Sequence, residues 1–133
     1  MNKKDKKHEE SALQKLCVEW FRLQYREYDK LLISVPNGVA PQGKTRDAKR
    51  KAEIQGAIRK AEGMVAGVAD LLLLLPNKNH PYLCIEMKTE KGRQSDSQKA
   101  WQAAVQEKAL AKYAVVRSVE QFIETITEYL SNL

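Results

Sequence analysis

Cysteine and histidine are scarce in this chain of 133 residues, which has two of each: Cys17, Cys84, His8 and His80. Neither histidine has a partner at zinc-ligand spacing, which excludes a structural zinc module. Both cysteines sit in apolar patterns and read as buried thiols in a reducing, cytoplasmic setting, not as a disulfide framework. Long apolar runs are missing as well. The leucines at 71–75 are far too few to span a bilayer. The charged opening at 1–7 is followed by no apolar segment of a signal peptide, so no membrane partner is expected. No internal repeat is visible. P-loop, Rossmann-glycine and serine-elbow patterns are absent, which removes the nucleotide-binding and serine-nucleophile classes. Aromatic residues are not interleaved with the basic ones, so no stacking platform for single strands is indicated, and no base-reading motif occurs.

What the chain does have is charge. Its formal net charge of +6 favours polyanionic partners. The length leaves room for one core, so residues 1–133 read as a single domain whose first eight residues form a charged, flexible tail. Leu13, Leu16, Cys17, Trp20 and Leu23 recur at helical spacing and predict an amphipathic helix over 9–28. A β-rich run at 31–35 is closed by Pro36-Asn37-Gly38, and 39–45 reads as a loop. A basic helix follows over 46–62, stopped by Gly63. Residues 71–75 and 82–87 are apolar runs around the turn-forming Pro76-Asn77-Lys78-Asn79-His80-Pro81, which predicts a β-hairpin. Ser95 opens a helix containing Trp101, Ala104, Val105 and Leu110. A short strand at 113–117 and a helix at 119–130 complete the order α-β-α-ββ-α-β-α, a mixed sheet flanked by helices in an α/β sandwich.

The hairpin carries the chemistry. Asp70, Glu86 and Lys88 lie in or beside its apolar runs, where an ionisable side chain is costly unless paired, solvated or metal-bound. With the midpoint near Lys78, Asp70 falls opposite Glu86, and period-2 alternation puts Lys88 on the face of Glu86. Two carboxylates and an amine then converge at one end of the hairpin. Hard cations such as Mg²⁺ take one or two carboxylates plus waters and substrate phosphate oxygens. A neighbouring lysine can orient an attacking water or stabilise the transition state of phosphodiester hydrolysis. An edge strand with solvated charges would give the same local pattern. On the first helix, Glu9 and Glu10 both border the core-facing stripe, and the helix dipole alone accounts for two acids there. Ser95-Asp96-Ser97-Gln98 is a capping-box pattern, which by itself explains Gln98.

Taken together, the order of a glutamate-bearing helix, Pro36-Asn37-Gly38, Gly67-Val68-Ala69-Asp70, Glu86-Met87-Lys88 and Gly92-Arg93-Gln94-Ser95 with Gln98 resembles the VRR-NUC family, a branch of the PD-(D/E)XK nuclease superfamily. The resemblance runs from about Glu9 to the C-terminus. It differs at Ala69, where the family favours proline, and in a long segment between Asn37 and Gly67. It implies a restriction-endonuclease-like core and Mg²⁺- or Mn²⁺-dependent cleavage of DNA, with stand-alone members acting as dimers on branched DNA. It selects Glu10, three positions before the first core residue, as the third carboxylate, and sets Gln98 beside the lysine. The expected catalytic residues are Asp70, Glu86, Lys88 and Gln98. The expected metal ligands are Glu10, Asp70, Glu86 and the Met87 carbonyl.

DNA contact is expected from the basic segment at 44–60, which holds seven cationic residues against Asp47 and Glu53. Arg46, Lys49, Arg50 and Lys60 share a helix face suited to tracking phosphates, with Lys44 just before it. The reading is a metal-dependent deoxyribonuclease, a structure-selective endonuclease on branched DNA such as four-way junctions, working as a homodimer. The alternatives are a non-catalytic basic nucleic-acid-binding module and a nuclease directed to flaps or ends.

Overall fold

The first helix begins earlier than its apolar periodicity indicates. The structure, a computed structural model, describes residues 2–36, 38 and 40–133, so Asn37 of the expected turn lies outside the described residues. Helix α1 runs Lys3–Gln24. Residues 3–8, expected as a charged tail, are part of this helix. The Asn2 side chain caps the helix by accepting the Asp5 N–H at 2.9 Å, and the lysines that follow are good helix formers. The helix also stops short of residue 28. Arg26–Leu31 tightens into a 3-10 turn that leads into β1, Leu32–Ser34.

Helix α2, Arg46–Ala61, is capped by the Thr45 side chain. It is followed by Gly63 at φ +113°, a left-handed position that suits glycine. Strands β2, Leu71–Leu73, and β3, Leu83–Met87, form the antiparallel hairpin. Its register pairs Leu71 with Ile85 and Leu73 with Leu83, which places the midpoint at Lys78 as the sequence predicts. Helix α3, Asp96–Lys108, follows the Ser95 cap. Leu110, expected inside that helix, lies just beyond it at φ 59° and is exposed. Strand β4, Lys112–Val116, and helix α4, Val119–Leu130, complete the chain.

The four strands form one mixed sheet in the order β1-β2-β3-β4, with β3 and β4 parallel. A parallel pair needs a crossover, and α3 supplies it. Alternation along the strands divides the side chains between two layers. Leu71, Leu73, Leu83, Ile85 and Met87 face Cys17 and Phe21 of α1 and Phe122 and Ile126 of α4, in one buried core. Cys84 joins Ala69, Ala111 and Tyr113, with Trp101 and Val105 of α3 packed against them. Full burial of side chains such as Phe21 and Phe122 contributes roughly 1.5–3 kcal/mol each. Both cysteines are free and buried, as expected, and burial pushes the Cys84 thiol up to about 12. Among the described residues, no helix is long and apolar enough to cross a membrane.

Candidate active site

Glu86 is fully buried, at the even-numbered parity that faces α3. A carboxylate there needs partners, and it has two. The Tyr113 hydroxyl donates to Oε2 at 2.6 Å, and Gln98 Nε2 donates to Oε1 at 2.9 Å. The other end of the Gln98 amide, Oε1, accepts from Lys88 Nζ at 2.9 Å and from the Ser95 N–H at 2.8 Å. Gln98 thus closes the capping box of α3 and bridges the hairpin acid to the hairpin lysine. The capping position and the place beside the lysine are thus held by one side chain. Lys88 is buried and, among the described residues, forms no direct ion pair.

Asp70 sits one residue before β2. Its Oδ2 accepts the Met87 N–H at 2.7 Å, taking the place of the next strand residue's carbonyl. In extended backbone the Met87 carbonyl points to the same side as its N–H. Gly67 makes this placement possible. It has φ +85°, and a Cβ there would lie 2.3 Å from the Ser97 carbonyl oxygen. The chain entering β2 therefore touches the first turn of α3, which carries Gln98.

Asp70 and Glu86 are close enough to interact, and burial raises both carboxyls. Glu86 is pushed up to about 7, chiefly by burial, with the Tyr113 hydroxyl opposing and the Asp70 charge adding. Such a pair favours keeping a proton at lower pH when no cation is present. Glu10 joins from α1. Burial raises its carboxyl too, while Lys88 and a hydrogen bond from the Thr89 N–H pull it down. Glu10, Asp70, Met87 and Gln98 line one cleft of about 610 Å³ between α1, the end of β1 and the start of α3. Glu9 is exposed and does not line it.

Among the described residues, no three acidic, histidine or cysteine side chains close into a ready metal cage. The donor set nevertheless suits a hard cation, because Mg²⁺ takes one or two carboxylates and fills its shell with waters and substrate oxygens. Asp70, Glu86 and the Met87 carbonyl would hold it, with Glu10 acting through water.

The expected nucleic-acid residues Lys44, Arg46, Lys49, Arg50 and Lys60 are all exposed, and none of them lines the cleft. Their helix turns Ala48, Ala52 and Gly56 away from solvent instead. Three contributors escaped the sequence reading. Tyr113 orients Glu86, Gln94 donates to the Tyr113 hydroxyl at 3.3 Å, and Arg117 Nη1 donates to the carbonyls of Thr89, Glu90 and Gly92. Tyrosine in a short apolar strand was a usable signal, since a buried phenol seeks a polar partner.

The model of the VRR-NUC domain matches residues 8–120. No curated protein matches the chain. A solved structure of a VRR_NUC domain protein is 17% identical, covers 93% of this chain and 89% of its own, and superposes with a TM-score of 0.74. At that identity the likeness is one of fold, and it is the mixed sheet with flanking helices described above. With the family model spanning most of its length, the chain belongs to the VRR-NUC family, whose domain is of the nuclease type and implies DNA as the partner.

Proposed function

We propose that this protein is an Mg²⁺- or Mn²⁺-dependent deoxyribonuclease that hydrolyses phosphodiester bonds, selects branched DNA such as four-way junctions, and acts inside the cell as a homodimer. The observation that carries the nuclease reading is the Gln98 bridge. One amide holds Glu86 on its nitrogen and Lys88 on its oxygen, beside Asp70. A protein that merely binds DNA has no use for buried acids that repel phosphate.

A bound divalent cation would supply Lewis acidity and offset charge at the phosphate. The chain's own residues do the rest. Tyr113 and Gln98 fix the Glu86 carboxylate so that both oxygens are committed to a single orientation. The Met87 N–H fixes Asp70 in the same way. Gln98 aims the Lys88 ammonium into the site, where it orients the attacking water and stabilises negative charge building on the phosphate oxygens. Glu10, tied to the turn after Lys88, holds water at the α1 side of the cleft.

Supercoiled plasmid incubated with Mg²⁺ or Mn²⁺ should be nicked or linearised, and an EDTA control should stay intact. Lys88→Ala should slow cleavage roughly a hundredfold or more. Its DNA affinity should barely change, because one buried lysine adds little to the phosphate attraction of the exposed basic residues. Equal loss of binding and cleavage would make Lys88 a docking residue, and no cleavage by the native protein with either metal would leave the binding-module reading.

A further inference from the structure

The helix that replaces the expected tail changes what the cleft contains. Lys7, Ser11 and Gln14 line it from α1, at spacings of four and three that keep them on one helix face. They present an ammonium, a hydroxyl and an amide, all hydrogen-bond donors. Lys7 is the one lysine or arginine among the cleft-lining residues, and it has no ion-pair partner among the described residues. Lys3 lies one turn earlier on the same face, at the first position of the helix. Across the cleft, the end of β1 offers Ser34, Val35 and Pro36, none of them charged.

We propose that this face of α1 is the wall that holds one DNA strand in the cleft, with Lys7, Ser11 and Gln14 on successive phosphates of the strand being cut. The inference rests on the nuclease reading for the polarity of the cleft, and it assigns substrate contact to residues outside the α2 set. Lys7 and Gln14 are separated by about 10 Å of helix, long enough for the three side chains to reach neighbouring phosphates of one strand. Only donors can face phosphate oxygens without repulsion, and Glu10 is the one acid on this wall. Its hydrogen bond from the Thr89 N–H and its interaction with Lys88 turn its charge toward the metal side. The exposed basic side chains of α2 would then supply general attraction, while α1 sets the path of the strand through the site.

The test uses the full chain and a fluorescently labelled duplex, with affinity read by anisotropy across a salt series in EDTA and again in Ca²⁺. Lys7→Ala is compared with Lys108→Ala, an equal loss of charge at the far end of α3. Removing one phosphate contact should lower the salt slope by about 0.9 and the affinity about fivefold at 0.15 M salt. Lys7→Arg should restore both, and Ser11→Asp should weaken binding without touching charge elsewhere. All of these side chains are exposed, so thermal melting should be unchanged. If Lys7→Ala behaves like Lys108→Ala in both media, or Ser11→Asp binds normally, the wall is not a substrate contact and the inference fails. Plasmid cleavage by the native protein is scored separately. A lowered slope in a protein that never cleaves would support the α1 contact while sinking the nuclease reading, and intact cleavage with an unchanged slope would do the reverse.

Discussion

Glu86 is the residue on which pH should act. Burial lifts its carboxyl from the ordinary 4.5 to about 7, so folding without a cation favours the protonated form. A raised acid contributes stability that is full below its unfolded value and is lost as pH rises through its folded value. The metal-free protein should therefore lose stability between about pH 4.5 and 7 on this group's account. A divalent cation should reverse the sign, because it binds the deprotonated pair and must displace the proton first. Thermal melts at pH 5.5 and pH 8, with and without Mg²⁺ or Mn²⁺, check this: the rise in melting temperature on adding metal should be larger at pH 8. Glu86→Gln, which keeps the shape but never ionises, should flatten the pH dependence and abolish the response to metal. An equal metal response at both pH values would show that the cation, if bound, does not use this carboxylate.

At the scale of elements, the site is a meeting of strand ends with the first turn of one helix, and Gly67 sets how close they come. Its φ of +85° and the 2.3 Å from an added Cβ to the Ser97 carbonyl leave no room for a side chain. Gly67→Ala should displace the Gln98 turn, cost at least about 1–2 kcal/mol from the left-handed backbone alone, and slow cleavage more than stability loss explains. Melting temperature and kcat measured on the same variant separate the two effects. A melt and a rate close to native would mean the junction is more plastic than its geometry implies. The elements themselves were largely legible in the sequence, for identifiable reasons. The turn residues at 76–81 fixed the hairpin midpoint, so the opposition of Asp70 and Glu86 followed from counting. Ser95 and Gln98 announced a helix start because a capping box is a local device. The start of α1 was not legible, since residues 3–8 bury nothing and leave no apolar trace; only the Asn2 cap signals it. Tyr113 was missed because its contact with Glu86 depends on the β3–β4 parallel register, a pairing across 27 residues that no local pattern encodes. The exposed basic face of α2 was readable from spacing, whereas its absence from the cleft lining depends on the tertiary fold.

For the whole molecule, the question is how one cleft serves a two-stranded substrate. Beside the cleft sit one hydrogen-bonded group of Glu86, Gln98 and Lys88 and the neighbouring Asp70, a set that would serve one strand at a time. Severing both strands of a junction symmetrically takes two such sites at fixed spacing, and a two-fold dimer provides them by construction. The charge distribution is compatible with that use. The positive side chains of α2 are exposed, so two copies would present two basic surfaces to the arms of a branched substrate. With no base-reading motif in either copy, selection would come from the angle and spacing of the duplexes. The prediction is a dimer mass by light scattering at micromolar concentration, and faster cleavage of a four-way junction than of a linear duplex or a flap. Because the attraction is electrostatic, the preference for the junction should persist as salt rises while overall affinity falls. A preference that vanished with salt would mean charge density alone was being read. A monomer that cut flaps and ignored junctions would end the dimer proposal and leave a strand-directed nuclease with the same catalytic residues.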